Sequence, residues 1–132
     1  MDRFESRWNP QSPLALQRRE VMLARIAALR ALEERAAMAS ARSLPVFEKR
    51  SQLLPRQRVA LLLDPGAPWL PLATLAGYLQ DVQDPEKSVP GCGMVANIGL
   101  ASLVRCVVVA HDSGIDAGDI HPHGMSHIQR LQ

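Results

Sequence analysis

The stretch that decides the fold is Val89-Pro90-Gly91-Cys92-Gly93-Met94-Val95-Ala96-Asn97-Ile98, followed after a short break by Val104-Arg105-Cys106-Val107-Val108-Val109-Ala110. Two apolar runs around one break predict a hairpin of two strands. The second run is β-branched, almost uncharged and bounded by turn residues, which predicts a strand covered on both faces. Gly91-Cys92-Gly93 precedes a strand, whereas a phosphate-binding loop opens a helix, so we interpret it as a tight turn.

Polar and small residues follow the second run, at the end of a predicted buried strand. Ligands usually bind at such ends in layered α/β folds, and small residues let a ligand approach the backbone amides. Asp116-Ala117-Gly118-Asp119 is therefore the candidate site, with a plain loop as the alternative. His111 and Asp112 could support acid–base chemistry, but the sequence places no serine, cysteine or orienting group to complete a nucleophile system.

Upstream of the hairpin, proline and glycine mark the limits of two predicted helices. Ser12 and Pro13 suit the start of a long helix running to about Ala41, and Pro45 then interrupts the chain. The narrow apolar stripe of this helix predicts either an arm packed on another surface or a simple surface helix. A shorter helix opens near Pro55 and ends before Asp64-Pro65-Gly66, because the residue before a proline disfavours helical angles.

The segments on either side of the hairpin are predicted as follows. Trp69–Leu72 contains Pro71, which a central strand does not tolerate, so it is an edge strand. Thr74–Leu79 is a further strand and Gln80–Ser88 a polar loop. A final helix runs from Met125 to Gln132. The strand, loop and helix from Val104 to Gln132 form two-thirds of a β-α-β unit, in which the second parallel strand is missing.

Composition bounds the class of protein. The chain has 132 residues, one domain's length, and a net charge of +2, too small to argue for nucleic acid. No apolar run is long enough to span a bilayer, and the charged N-terminus has no secretion signal, so we expect a cytoplasmic protein that does not enter membranes. Cys92 and Cys106 are expected to be reduced, with a disulfide or a reactive thiol as alternatives.

Four histidines crowd the C-terminal region. Imidazoles two or four residues apart can bind zinc, but no carboxylate or cysteine at ligand spacing joins them, so exposed loop histidines are the competing interpretation and no metal site is predicted. The four are His111, His121, His123 and His127.

Several motifs, in order along the chain, resemble the carboxyltransferase (β) subunit of biotin-dependent acyl-CoA carboxylases, in the methylcrotonyl-CoA and geranyl-CoA branch. They are Arg7-Trp8-Asn9-Pro10, Leu53-Leu54-Pro55-Arg56-Gln57-Arg58-Val59, Leu63-Asp64-Pro65-Gly66-Ala67-Pro68-Trp69-Leu70, Val89–Val95 and Val107–Asp112. The segment Asp112–Gly118 resembles the geranyl-CoA type more than the methylcrotonyl-CoA type.

The resemblance implies a partial crotonase-like fold of α/β (α+β) class: an N-terminal helical arm at 1–44, then a small incomplete sheet with flanking helices at 45–132. It implies carboxyl transfer from carboxybiotin to an acyl-CoA, with backbone amides stabilising the developing oxyanions. Ala117 and Gly118 would lie near the CoA moiety as substrate-binding residues. Biotin would be carried by a partner, and none is expected on this chain. Expected partners are the biotin carboxylase or biotin carrier subunit and other carboxyltransferase chains.

The sequence also departs from the family pattern. The family's oxyanion-hole glycines are expected beyond Gln132, so no catalytic residue is named, and the chain is expected to be an N-terminal portion that is inactive alone. Ser126 and His127 stand at the start of the final helix, where members of the family usually carry basic residues. Leu103 stands where the family's hairpin turn usually has a glycine, which predicts a wider or distorted turn in the hairpin. The alternative function is a non-catalytic interaction module that binds a carboxylase subunit or self-associates through an exposed sheet edge. A histidine-rich metal protein and a free-standing CoA-binding domain are further alternatives.

Overall fold

A computed structural model describes residues 8–131, in two compact units, one ending at Ala31 and one starting at Leu32. Helix α1 spans Pro13–Ala41, as predicted. Ser12 caps it, because its Oγ accepts the amide of Ala15 at 3.2 Å. Positions 1–7 lie outside the described residues. Compact units need not coincide with domains, so the boundary after residue 44 stays a prediction.

Two short helices follow α1, each with a proline in its first turn. Helix α2 spans Leu44–Lys49, so Pro45 opens a helix where only an interruption was predicted. Proline suits this position because a first-turn residue needs no amide donor. Helix α3 spans Pro55–Leu62, which confirms the predicted second helix. Gln57 reaches back at its start and accepts the amide of Leu54 at 2.9 Å.

Three antiparallel strands form one sheet in the order β1-β2-β3. They are β1 (Leu70–Pro71), β2 (Met94–Ala101) and β3 (Val104–His111). The mixed helix-and-sheet class, the hairpin and the edge position of Pro71 are confirmed. The predicted burial of the second run is wrong, because no residue of β3 is buried on either face of the sheet. Strand β3 is also the other edge of the sheet. Val107 remains 50% exposed and Val109 39%.

The predicted strand at Thr74–Leu79 is also wrong, because this segment is a series of turns. Ala73, Gly77 and Leu79 have positive φ values of 46°, 69° and 60°, which no strand tolerates. Turn hydrogen bonds replace ladder bonds, for example from the amide of Tyr78 to the carbonyl of Leu75 at 3.1 Å.

The second unit holds a small core between α3 and the sheet. Its buried apolar residues include Leu54, Val59, Met94, Ala96 and Ile115. The last helix, α4, spans Pro122–Leu131 and so begins three residues before the predicted Met125. Within residues 8–131, no helix has both the length and the hydropathy that crossing a bilayer requires.

Candidate functional site

A fully buried carboxylate, that of Asp112, lies directly after β3 and joins three distant segments. Its Oδ1 accepts the hydroxyl of Ser40 at 2.6 Å, near the end of α1. Its Oδ2 accepts Nε of Arg56, on α3, at 2.7 Å in an ion pair. Its backbone amide donates to the carbonyl of Gly93 at 2.8 Å. Both carboxylate oxygens of Asp112 therefore accept a hydrogen bond. We call Ser40, Arg56 and Asp112 the Asp112 cluster.

The Asp112 cluster fixes the start of the loop that holds the predicted site. The amide of Gly114 points at Oδ1 of Asp112 at 3.3 Å, and the carbonyl of Gly114 accepts the Ser43 hydroxyl at 2.7 Å. The amide of Ile115 donates to the carbonyl of Asp112 at 2.8 Å. Ile115 itself is buried. The chain therefore leaves β3 in one defined direction.

The predicted site residues, Ala117 and Gly118, lie in a 3₁₀ turn at Asp116–Gly118. Three consecutive residues of this turn have positive φ, 46° at Asp116, 55° at Ala117 and 84° at Gly118. Such angles cost about 1–2 kcal/mol for each residue other than glycine. A Cβ at position 118 would also lie 3.1 Å from Cβ of Ser113. Both the positive φ and the close contact therefore favour glycine at this position.

Hydrogen bonds inside this turn leave its exposed side open. The amides of Gly118 and Asp119 donate to the carbonyls of Ile115 and Asp116 at 2.9 and 3.0 Å. Over the described part of the chain, the turn bonds include none from the amides of Asp116 and Ala117, and both residues are exposed. Two neighbouring amides without an internal acceptor can receive an oxygen of a ligand.

The structure separates the suggested acid–base pair. His111 is exposed, whereas Asp112 is fully buried with both oxygens engaged, so Asp112 acts as a support for the loop. Sequence reasoning did not single out Ser40 or Arg56 as its partners. They lie 72 and 56 positions away, and no periodicity or motif spacing links such positions.

The histidines do not gather. His121 Nε2 lies 3.7 Å from a carboxylate oxygen of Asp116, and His123 Nε2 lies 3.6 Å from one of Asp81. The early start of α4 places His123 and His127 on one helix, and His127 is buried rather than an exposed loop residue. Burial, and then the charge of Arg130, lowers the pKa of His127 below its usual 6.5.

No metal or disulfide chemistry accompanies these groups. Among residues 8–131 no three His, Cys, Asp or Glu side chains form a group that could hold a metal ion. Cys92 and Cys106 are free thiols. Burial and the charge of Asp81 raise the pKa of the Cys92 thiol, which disfavours the reactive thiolate.

Comparison with known proteins identifies the relatives of this chain. Residues 48–132 match the carboxyl transferase domain family. The chain is 44% identical over 75 residues to the biotin-dependent 3-methylcrotonyl-coenzyme A carboxylase beta1 subunit of Mycobacterium tuberculosis, a match covering 55% of the chain and 13% of that protein. It is 38% identical over 73 residues to a probable mitochondrial methylcrotonoyl-CoA carboxylase beta chain of Drosophila melanogaster, covering 55% of the chain and 12% of that protein. The matches span about an eighth of these relatives.

The solved beta subunit of P. aeruginosa geranyl-CoA carboxylase matches the fold. The two superpose with a TM-score of 0.86 at 43% sequence identity, covering 97% of this chain and 23% of that one. The helices and small antiparallel sheet described above are thus part of the crotonase-like fold of carboxyltransferase beta subunits. The resemblance drawn from the sequence motifs is confirmed, and this chain belongs to the carboxyl transferase domain family.

Proposed function

We propose that the chain forms part of a carboxyltransferase that moves a carboxyl group from carboxybiotin to an acyl-CoA of the geranyl-CoA or methylcrotonyl-CoA type. The observation that carries this proposal is the superposition of 97% of the chain on the geranyl-CoA carboxylase beta subunit. The superposed portion is 23% of that subunit. We therefore propose that catalysis needs further polypeptide and that the chain alone is inactive.

The residues of this chain act on the acyl-CoA side of the reaction. The Asp112 cluster holds the loop after β3, and in the left-handed turn at Asp116–Gly118 the amides of Asp116 and Ala117 have no acceptor among the turn bonds of the described residues. Strained turns persist where their surroundings fix them, and they concentrate at ligand sites. Ala117 would donate its backbone amide to an oxygen of the CoA moiety, and Gly118, without a side chain, would let the CoA moiety come close to the backbone. Biotin, carried by a partner subunit, would supply the carboxyl group.

The partners follow from the same proposal. Biotin carboxylase or a biotin carrier subunit would deliver carboxybiotin, and other carboxyltransferase chains would complete the site. The relatives of this chain are named as subunits of biotin-dependent carboxylases, which supports this assembly.

A chimaera tests the carboxyl-transfer proposal. The matching segment of the P. aeruginosa geranyl-CoA carboxylase beta subunit is replaced by this chain, the alpha subunit is added, and incorporation of labelled bicarbonate into geranyl-CoA is measured. We expect the chimaera to be active and the chain alone to be inactive. The same chimaera carrying Ala117→Pro is the comparison. Proline removes the proposed amide donor and, because its ring fixes φ at about −65°, it cannot adopt the positive φ of Ala117, so the donor and the left-handed turn are lost together. We expect a loss of about tenfold or more in kcat/KM, equivalent to about 1.4 kcal/mol.

Two results would contradict the proposal. Carboxylation by the chain alone would overturn the need for further polypeptide. A chimaera that assembles normally but carboxylates no acyl-CoA would overturn the assignment to carboxyl transfer.

A second candidate function is a non-catalytic interaction module, favoured by one observation. Strand β3 is an edge strand of eight residues with exposed valines, and edges of this kind pair with other chains. The module would bind a carboxylase subunit or a second copy of the chain. Its association state in solution, measured by light scattering, is the test.

A further inference from the structure

A recess in the second unit lies between α3, the loop after it, and one face of β2. Its volume is about 470 Å³, within the range of small-molecule pockets. The wall is mainly apolar, with Leu63, Trp69 and Val95 among its residues. Three of its side chains carry nitrogen donors, those of Trp69, Arg56 and Asn97, and the last two lie on α3 and β2.

The Asn97 carboxamide is the unusual part of this recess. The residue is only 2% exposed, and its Nδ2 makes no hydrogen bond to any residue in the described chain. Buried amide groups almost always find a partner, so an orphan donor at a cavity wall indicates a missing acceptor. The Nδ2 atom is shielded from solvent, but Asn97 lines the recess and the terminal torsion of asparagine is soft, so rotation of the carboxamide can turn its N–H groups into the recess.

The neighbouring charges indicate which acceptor fits. Nε of Arg56 donates to Asp112, and this ion pair balances the charge of the guanidinium group. The terminal nitrogens of Arg56 remain as donors. Asp64 adds a second carboxylate to the wall, and its two oxygens accept the amides of Ser102 and Leu103 at 2.7 Å each. The recess therefore carries no excess positive charge. A neutral carbonyl oxygen suits it better than an anion.

We propose that this recess binds a neutral carbonyl compound with an apolar body, such as a medium-chain ketone or ester. The carbonyl oxygen accepts hydrogen bonds from the Asn97 amide and the terminal nitrogens of Arg56. The body packs against Leu63, Trp69 and Val95. This site does not depend on the carboxyl transfer proposed above, and its test uses no enzymatic readout.

Titration followed by NMR tests the proposal directly. The chain has two asparagines, Asn9 and Asn97, so the side-chain amide of Asn97 is readily assigned. Three probes are compared: 2-heptanone, 2-methyl-1-heptene, in which a methylene replaces the carbonyl oxygen, and heptanoate. We expect 2-heptanone to shift the Asn97 amide resonances and to bind about tenfold more tightly than either other probe, because only the ketone offers a neutral acceptor to the two donors. Equal binding of the alkene, or tighter binding of heptanoate, would overturn the proposal.

Variants locate the site. Asn97→Leu removes the donor, and we expect it to abolish the preference for ketone over alkene. Ala60→Phe places a ring at a residue of the wall and should abolish binding, whereas Leu61→Phe, at a 74% exposed position outside the wall, should leave the affinity unchanged. Undiminished binding in Ala60→Phe would contradict the location. This comparison remains decisive if Asn97→Leu does not fold.

Discussion

Gly114 packs directly against two members of the Asp112 cluster, Ser40 and Asp112. A Cβ built on it would lie 2.6 Å from the Ser40 hydroxyl oxygen, 2.8 Å from the Ser40 carbonyl oxygen and 3.1 Å from a carboxylate oxygen of Asp112. The carbonyl oxygen belongs to the backbone of α1 and cannot turn aside as a side chain could. Glycine is needed here for space, not for a left-handed conformation.

Gly114→Ala should therefore lower the free energy of unfolding by about 2–3 kcal/mol, because overpacking forces the backbone to shift. Urea unfolding followed by circular dichroism measures the loss. Gly66→Ala is the matched control: its φ is +74°, but an added Cβ meets nothing within 4 Å, so we expect a loss of only about 1 kcal/mol. Equal losses at the two positions would contradict the packing argument.

Single residues also show what the sequence could predict about the site. Small residues after a strand predict a site at Asp116–Asp119, and the family resemblance narrows it to Ala117 and Gly118, whose use by a ligand stays a prediction. The left-handed angles around them were not predicted, because aspartate and alanine usually avoid positive φ. The partners of Asp112 were missed because tertiary contacts alone bring Ser40 and Arg56 to it.

At the scale of elements, the turn between β2 and β3 departs from the prediction. Ala101 pairs with Val104, so the turn has two residues and is not widened. Ser102 and Leu103 both have positive φ, 51° and 65°, as a type I′ turn requires. Asp64 stabilises these positive φ angles in a turn without glycine. Its carboxylate accepts both turn amides, and its own amide donates to the carbonyl of Leu100 at 2.8 Å.

Removing this carboxylate should loosen the hairpin. We expect Asp64→Ala to lower the free energy of unfolding by about 1–2 kcal/mol, because two charge-assisted hydrogen bonds are lost at a partly exposed site. Asp64→Asn keeps one acceptor oxygen and should lose about half as much. Thermal unfolding and amide exchange of Ser102 and Leu103 measure the effect. Unchanged exchange in Asp64→Ala would show that the turn forms without the carboxylate.

Elements with strong local signals were the ones predicted correctly. Ser12 and Pro13 fixed the start of α1, and Pro55 fixed that of α3, because capping and first-turn geometry are local properties. The exposure of β3 could not be read from its valines, since strand composition does not specify the position of a strand in a sheet. The turns at residues 74–79 depend on tertiary support, such as the Glu33 carboxylate that accepts the Thr74 hydroxyl at 2.8 Å.

At the scale of the whole molecule, the open edge of β3 predicts self-association of the isolated chain. Light scattering should show a mass that rises with concentration. Val107→Lys places a charge on the exposed face of the edge strand and should weaken association about tenfold, whereas Leu61→Lys, on the exposed side of α3, should not. A wild-type chain that stays monomeric while folded would count against the interaction module and leave carboxyl transfer untouched.

The Asp112 cluster has a kinetic consequence. Its hydrogen bonds join residues 72 and 56 positions apart, whereas the β2–β3 hairpin closes over two residues. Loop closure over long separations costs more entropy, so the hairpin should form first and the cluster after the rate-limiting step. A weakened cluster would then act mainly on the unfolding rate. In stopped-flow measurements, Gly114→Ala should raise the unfolding rate constant, whereas the refolding rate constant should stay close to that of the wild type.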